Sequence, residues 1–219
     1  MNLVDILAKG RIVELNPVLV PGQEDRRLEI RQFRIYAGEF MYDIDMMSHL
    51  GAHVESPAHY LPALEKPIPG KDISEYPPEK FWGEAVFVDL SELPPKGRVS
   101  PDFLKPFGIK KNDVVLMGNA SYTKDEEKIT MTDAGAVYMA EIGIKMLAMD
   151  TTFLIEEFMD PLEAMRMHYE LMTRDILVIE RLANLSDLRE RRSFFIGLPV
   201  RVRGLDSFPI RAIAIEGVL

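Results

Sequence analysis

Short runs of consecutive apolar residues are the clearest pattern along the chain, and they predict strands. Two of them, Ala85–Leu90 and Asp113–Met117, are too short for an ordinary helix and continuous enough for strands that are covered on both faces. We expect these two in the centre of a sheet. Further short strands are predicted at Arg11–Leu15, Ile176–Ile179 and Ala212–Ile215.

Alternation of apolar and polar residues predicts another strand over Leu28–Tyr36, although Phe33 and Ile35 fall out of phase. The break in phase indicates a β-bulge or a shifted register. Between Pro62 and Pro78 the repeated prolines preclude regular structure over any length, so we predict an ordered loop. This loop is a candidate for one wall of a pocket.

The apolar spacing changes to three and four residues between Thr132 and Ile142, which predicts a helix that Thr130–Asp133 caps and Gly143 ends. The strand at Asp113–Met117, this helix and a strand over Ile144–Asp150 follow one another, as in a crossover between parallel strands. The chain is therefore predicted to be an α/β protein that is rich in strands and has few helices.

Composition limits the possible functions. With 219 residues and 47% hydrophobic content, the chain can bury one core, and we predict a single domain over residues 1–219. A formal net charge of −9 argues against nucleic acid as a partner, because binding to phosphates needs clustered cationic side chains. The absence of cysteine excludes disulfides and thiolate ligands, so a metal would be bound by His, Asp, Glu or backbone oxygen.

Localisation is predicted from what the sequence lacks. No apolar run approaches the length of a membrane span, and the segment 1–10 has no basic leader. We expect a cytoplasmic protein that does not associate with membranes.

Three of the four histidines lie between positions 49 and 59, and a carboxylate lies among them. These residues are His49, His53, Glu55 and His59. Imidazole nitrogen and carboxylate oxygen are ligands for divalent cations, and histidine also serves in proton transfer. A chance grouping of most of the histidines beside a carboxylate is less plausible than metal or acid–base chemistry.

The spacing of these donors favours an extended, bent backbone. Gly51 and Pro57 disfavour a helix, whereas in an extended chain all four donors, at odd-numbered positions, point to one side. At about 3.3 Å per residue, an extended chain from His49 to Glu55 would span roughly 20 Å, too far for one ion. We therefore predict a bend at Gly51, with His53 and Glu55 best placed to share an ion.

This run resembles the signature of the cyclase-like metal-dependent hydrolases, the family of bacterial kynurenine formamidase (arylformamidase) and isatin hydrolase. The family signature reads His-x-Gly-Thr-His-x-Asp-x-Pro-x-His, and this chain has His, Gly, His, Pro and His at positions 49, 51, 53, 57 and 59. Later segments resemble the family in the same order: 113–116, 132–135, 143–151, His168, 179–185, 198–199, Gly204 and 209–211.

The resemblance implies a fold of the swivelling β/β/α type and a role for each site residue. It makes His49, His53 and Glu55 metal ligands and adds His168 and Glu180, for a site with one or two ions, zinc or manganese. It makes His59 the general base or acid. Independently, Glu180 follows an apolar strand, where a carboxylate needs a partner or a metal.

Several positions differ from the family pattern or allow more than one role. Glu55 stands where the family has aspartate; it keeps the charge but moves the oxygens by roughly 1.5 Å, and we expect metal binding to survive. Ala52 replaces a threonine, and the segment 117–120 lacks the usual Thr-Gly-Trp-like sequence, so substrate choice is expected to differ. Asp150 ends a predicted strand, either at the site or as a turn cap.

The predicted function is hydrolysis of a small amide, an N-formyl amine (as in arylformamidase) or a cyclic amide by metal-activated water, with His59 moving the proton. Two alternatives stay open: a lactone hydrolase, cyclase or dehydratase with the same site, and a metal-binding or ligand-binding protein without turnover. The partners expected are a small-molecule substrate and further copies of the chain, as a dimer or tetramer. The oligomer is predicted from the dense methionines between 159 and 172.

Overall fold

A large sheet dominates the computed structural model of the protein, which describes residues 3–122, 124–154 and 166–219. In chain order the strands are β1 (Arg11–Glu14), β2 (Leu28–Arg34), β3 (Phe40–Met46), β4 (His53–Glu55), β5 (Trp82–Asp89), β6 (Arg98–Val99), β7 (Val114–Gly118), β8 (Thr130–Met131), β9 (Met146–Asp150), β10 (Leu177–Leu182), β11 (Arg192–Pro199) and β12 (Ser207–Glu216). The α-helices are α1 (Leu3–Lys9), α2 (Pro101–Leu104), α3 (Asp133–Ile142) and α4 (Arg166–Met172).

The main sheet closes on itself. Its strand order is β1-β12-β11-β5-β7-β9-β10-β4, and β4 also pairs with β12, so seven strands form a barrel-like ring with β1 attached outside it. The strands β5, β7, β9 and β10 are parallel, whereas β4, β11 and β12 join their neighbours antiparallel. The α/β, strand-rich architecture predicted from the sequence is confirmed.

Two apolar clusters cover the parallel strands on opposite faces. One cluster takes residues from every strand of the ring, among them Val54, Leu116 and Phe195, and therefore fills the interior. The other packs the outer face of the same strands, including Met117, against α3 and α4. Burial on both faces explains why these strands read as continuous apolar runs.

The predicted crossover is confirmed. Helix α3 begins after Thr132, whose side chain accepts a hydrogen bond from the backbone N–H of Gly135, and it ends at Gly143 in the left-handed conformation. The strands before and after it, β7 and β9, pair in parallel. The strands predicted at 85–90, 113–117 and 144–150 are also present as β5, β7 and β9.

The strand predicted at Leu28–Tyr36 exists, but the bulge predicted within it does not. Strand β2 pairs residue for residue with β3, from Leu28 opposite Met46 to Arg34 opposite Phe40. Apart from Leu28, the side chains of β2 are exposed. The alternation of apolar and polar residues therefore does not correspond to a buried face, and its phase does not predict the register of the strand. Strand β3, equally exposed, was not predicted.

The methionine-rich segment lies partly outside the described residues, since Met159 and Met165 fall there. In the described part, Met167 and Met172 are buried in the outer core cluster, so they pack within the chain. The homo-oligomer therefore stays a prediction. Among the helices that the structure describes, none is long and apolar enough to cross a membrane.

Glu216, at the end of β12, stabilises the fold through a buried carboxylate. One oxygen accepts the backbone N–H groups of Arg189 and Glu190, at 2.6 and 2.7 Å, and the other accepts from Arg11. Burial opposes the charged form, but these donors outweigh it and lower the pKa of Glu216. We expect Glu216→Gln to reduce the free energy of unfolding by about 1–3 kcal/mol, measured by urea denaturation at pH 7.

The same comparison has a pH dependence and a control. Because the pKa of Glu216 is lower in the folded state, its contribution is present above the ordinary value of 4.5 and disappears as the pH falls through the folded-state pKa. Glu14→Gln, which removes an exposed pair with Arg211, should cost less than about 1 kcal/mol. Equal costs for the two substitutions would contradict this assignment.

Candidate metal centre

Strand β4 presents His53 and Glu55 on one face, as their spacing of two residues predicts. Both side chains are buried, and Nε2 of His53 lies 3.2 Å from Oε1 of Glu55. The strand has only three residues, so the backbone can change direction just before it and just after it. The two central donors of the motif therefore lie in the protein interior in fixed positions.

Two bends bring the outer histidines back to this pair. At Gly51 the backbone has φ +56°, as predicted, and Nε2 of His49 lies 3.2 Å from Oε1 of Glu55. After β4, a short 3₁₀ turn over Pro57–His59 places Nε2 of His59 3.8 Å from the same oxygen. The sequence analysis predicted the first bend but not the second.

The two remote residues of the predicted site also converge here. His168, on α4, places Nε2 3.2 Å from Oε2 of Glu55. Glu180, on β10, pairs across the sheet with His53, and its carboxylate lies 3.8 Å from Nε2 of His53 and 3.9 Å from Nε2 of His168. A register irregularity between Ile179 and Leu182 interrupts β10 at this point. All six predicted site residues thus form one cluster.

The cluster is organised electrostatically around Glu55. Burial disfavours its charged form, but the close contacts with the imidazole rings of His168, His49 and His53 outweigh burial and hold the pKa of Glu55 well below its usual range. Burial and the charge of Glu55 together raise the pKa of Glu180. Two neighbouring carboxylates in a buried site create a strong demand for positive charge.

The hydrogen bonding of His53 is that of a metal ligand. Its Nδ1 lies 2.7 Å from the backbone oxygen of Gly51, which can only accept, so this nitrogen carries the hydrogen. In the neutral ring Nε2 then has a lone pair that faces the carboxylate oxygen of Glu55. Two acceptors at this distance require a proton or a cation between them, and a divalent ion fits nitrogen and carboxylate donors.

Within the described residues, two triads have donor atoms that all lie within 4.8 Å of one another. One consists of His53, Glu55 and Glu180, and the other of His49, Glu55 and His59. Glu55 belongs to both triads. The arrangement can therefore hold one ion, or two ions that share the Glu55 carboxylate.

His59 has a carboxylate partner that the sequence analysis missed. Its Nδ1 lies 2.8 Å from Oδ2 of Asp206, in the loop just before β12. Burial lowers the pKa of His59, but the bond to Asp206 and the charges of Glu55 and Glu180 reverse the effect and raise it. No sequence spacing connects positions 59 and 206, so only the folded chain reveals the contact.

A cavity of about 640 Å³ opens onto the cluster, a size that suits a small molecule. Its walls include the apolar side chains of Met149, Phe153 and Leu154 and the cationic side chains of Arg26, Lys128 and Arg181. The loop predicted to form a wall, between Pro62 and Pro78, contributes no lining residue among those described; it packs behind the turn of His59 instead. The end of the loop, residues 73–78, lines a separate cavity of about 390 Å³, so the loop does form the wall of a pocket, but not of the one beside the histidine cluster.

Asp150 lines the cavity but is engaged in turn bonds. Its Oδ1 accepts from the backbone N–H and the hydroxyl of Thr152, at 2.8 and 2.6 Å, and its Oδ2 accepts from the backbone N–H of Asn119. The turn-capping interpretation is therefore confirmed.

Comparison with known proteins agrees with this description of the fold. The Cyclase family model matches residues 13–154. An uncharacterised protein of Methanocaldococcus jannaschii is 28% identical over 210 residues, 93% of this chain and 98% of that protein. A kynurenine formamidase of Bordetella petrii is 26% identical over 181 residues, 80% of this chain and 79% of the relative. Isatin hydrolase A of Labrenzia aggregata, solved with benzyl benzoate, shares the fold with a TM-score of 0.78, 21% identity and 97% coverage of both chains.

The turn that carries His59 depends on a close backbone contact with Gly70. A Cβ atom at position 70 would lie 2.4 Å from the carbonyl carbon and oxygen of Pro57. Gly70→Ala must therefore displace the turn, and we expect it to lower the free energy of unfolding by about 1–3 kcal/mol, measured by urea denaturation. Lys71→Ala, next to it but with an exposed side chain, should cost less than about 1 kcal/mol. Wild-type stability of Gly70→Ala would contradict the packing described.

Proposed function

Because the chain belongs to the Cyclase family, we propose that it is a metal-dependent hydrolase that cleaves a small amide, an N-formyl amine or a cyclic amide. The observation that carries the proposal is the buried Glu55 carboxylate, on which the Nε2 atoms of three histidines converge. A structural ion pair needs only one partner for a carboxylate. A cluster of this composition beside a small-molecule cavity is typical of a metal centre.

The proposed ligands are Glu55 and four of the residues around it, with His59 kept for proton transfer. They are His49, His53, Glu55, His168 and Glu180. The donor set suits zinc or manganese, as one ion or two. A divalent ion bound there would polarise the carbonyl of the substrate and make water a better nucleophile near neutral pH.

His59 is the proposed general base and acid. Its side chain is about one quarter exposed, whereas that of His53 is fully buried, so His59 faces the cavity. With Nδ1 bonded to Asp206, Nε2 can take a proton from water as the new C–O bond forms. When the C–N bond breaks, the same nitrogen returns the proton to the leaving amine.

The proposed substrate class comes from the relatives and the cavity together. Kynurenine formamidase and isatin hydrolase are named for substrates in which an aromatic ring carries the amide nitrogen. The cavity provides Phe153 and Met149 as apolar contacts and Lys128 and Arg181 for anionic or polar groups. N-formylkynurenine is therefore the first substrate to test, and isatin is the second.

Two alternative functions are separated by product and metal analysis. A lactone hydrolase or a cyclase or dehydratase could use the same groups. Hydrolysis of an amide or of a lactone in H₂¹⁸O labels the product acid, whereas cyclisation or dehydration does not, and only the amide yields an amine. A protein that binds metal tightly but turns over neither amides nor lactones would be a non-catalytic family member.

Metal binding should depend on the charge of residue 55. We expect Glu55→Gln to weaken binding of zinc and manganese by more than the roughly 10- to 100-fold typical of losing a supporting contact, because a neutral amide replaces the shared carboxylate. Glu55→Asp keeps the charge and should retain metal. Metal content after dialysis, measured by mass spectrometry, distinguishes the two. Full metal content in Glu55→Gln would contradict the proposed centre.

Catalysis should depend on His59 without the same dependence of metal content. We expect His59→Ala to keep its metal and to lose about 10²- to 10⁴-fold in kcat on N-formylkynurenine, because the proton acceptor is gone. Chelator-treated wild-type protein is the control and should be inactive until metal is restored. Full activity in either sample would refute the mechanism, and parallel loss of metal in His59→Ala would make His59 a ligand instead.

A further inference from the structure

We propose that Asp206 is a positioning residue for His59: it fixes the ring in the tautomer that carries its hydrogen on Nδ1 and directs the Nε2 lone pair toward the reaction centre. The inference rests on the proposed role of His59 as base, and it goes beyond that role by naming the group that sets its tautomer. It begins from the contact of 2.8 Å between Nδ1 of His59 and Oδ2 of Asp206.

The direction of this hydrogen bond follows from the chemistry of its partners. The side chain of Asp206 is about one third exposed, and an aspartate with this access to water is ionised near neutral pH. An ionised carboxylate can only accept, so the hydrogen belongs to Nδ1 of His59. In the neutral ring this leaves the lone pair on Nε2, the nitrogen that faces Glu55 and the cavity.

With a metal bound to His49, Asp206 would be the acceptor that remains for the hydrogen on Nδ1 of His59. The other atom close to Nδ1 of His59 is Nε2 of His49, at 3.1 Å. In the proposed centre that nitrogen would give its lone pair to the metal, so it could not accept a hydrogen from His59. Without the Asp206 carboxylate, the ring would be free to rotate or to carry its hydrogen on Nε2, where it could not act as a base.

The backbone holds Asp206 in place independently of its side chain. Its carbonyl oxygen accepts hydrogen bonds from the backbone N–H and the hydroxyl of Ser56, both at 2.9 Å. The next residue, Ser207, pairs with Glu55 across the strands β12 and β4. The carboxylate is therefore anchored to the histidine motif on both sides and needs no rearrangement to meet His59.

The same carboxylate also reaches His49 through Ser207. The hydroxyl of Ser207 lies 2.8 Å from Nδ1 of His49, and its one hydrogen can go either to Oγ of Ser48, at 2.8 Å, or to Oδ1 of Asp206, at 3.3 Å. A hydroxyl that donates to Asp206 accepts from Nδ1–H of His49, which leaves Nε2 of His49 free to bind metal. Asp206 thus orients the base directly, and the neighbouring Ser207 contacts the proposed ligand His49.

The test compares Asp206→Asn with Asp206→Glu and the wild type in the zinc-loaded full chain. The asparagine amide can donate to Nδ1 of His59, so the variant should favour the opposite tautomer. We expect kcat on N-formylkynurenine to fall about 100-fold or more, while KM changes less than about threefold and zinc content is unchanged. Asp206→Glu, which restores an ionised acceptor, should recover part of kcat.

Nitrogen-15 NMR of histidine-labelled protein reads the tautomer without turnover, with the His59 signals assigned from His59→Asn. We expect the hydrogen on Nδ1 in the wild type and on Nε2 in Asp206→Asn. Asp72→Asn is the matched control, because Asp72 accepts from Gly204 in the same loop but does not touch His59. It should leave both kcat and the tautomer unchanged.

The two readouts keep this inference separate from the proposed function. If the wild type hydrolyses none of the amides, the proposed function fails, and the NMR spectra still decide whether Asp206 sets the tautomer. A wild-type His59 with its hydrogen on Nε2 overturns the inference. So does an Asp206→Asn variant with unchanged kcat, or one that loses zinc in proportion to its activity.

Discussion

The structure depends on the double pairing of β4. This strand has only three residues, yet it pairs with β10 on one edge and with β12 on the other, and so closes the ring of seven strands. Because both edges are bonded, neither is left as an open strand edge. The pairing also fixes the chemistry. It places Glu180 opposite His53 and Ser207 opposite Glu55, so residues that are distant in sequence meet where the barrel closes.

The electrostatics of the site follow from where β4 lies. A carboxylate with as little exposure as Glu55 costs several kcal/mol to bury unless it is compensated. The compensation comes from imidazoles supplied by a bend before the strand and by α4, with a further histidine on the turn after it. Glu180 adds a second carboxylate, whose pKa is raised by burial and by the charge of Glu55. Burial, pKa and donor geometry therefore all favour a cation at this position.

Features with a local physical cause were predicted well from the sequence. Continuous apolar runs identified β5 and β7, because a strand that is covered on both faces has apolar residues at successive positions. Gly51 predicted the bend, and the odd-numbered positions of the donors predicted the shared face. The predictions of strand register and strand number failed where an alternating pattern of residues does not correspond to a buried face. The ribbon of β2 and β3 is exposed on both faces, so its alternation carried no information about register, and β3 was missed.

The sequence by itself determined the strand-rich α/β class, the histidine motif with its bend and, through family resemblance, the six residues of the candidate site. Only the tertiary structure decided which of these donors share Glu55, where the cavity lies, and that Asp206 holds His59. The reason is the closure of the barrel. The contact between positions 59 and 206 is created by the pairing of β4 with β12, and no periodicity or spacing along the chain encodes a contact between such distant positions.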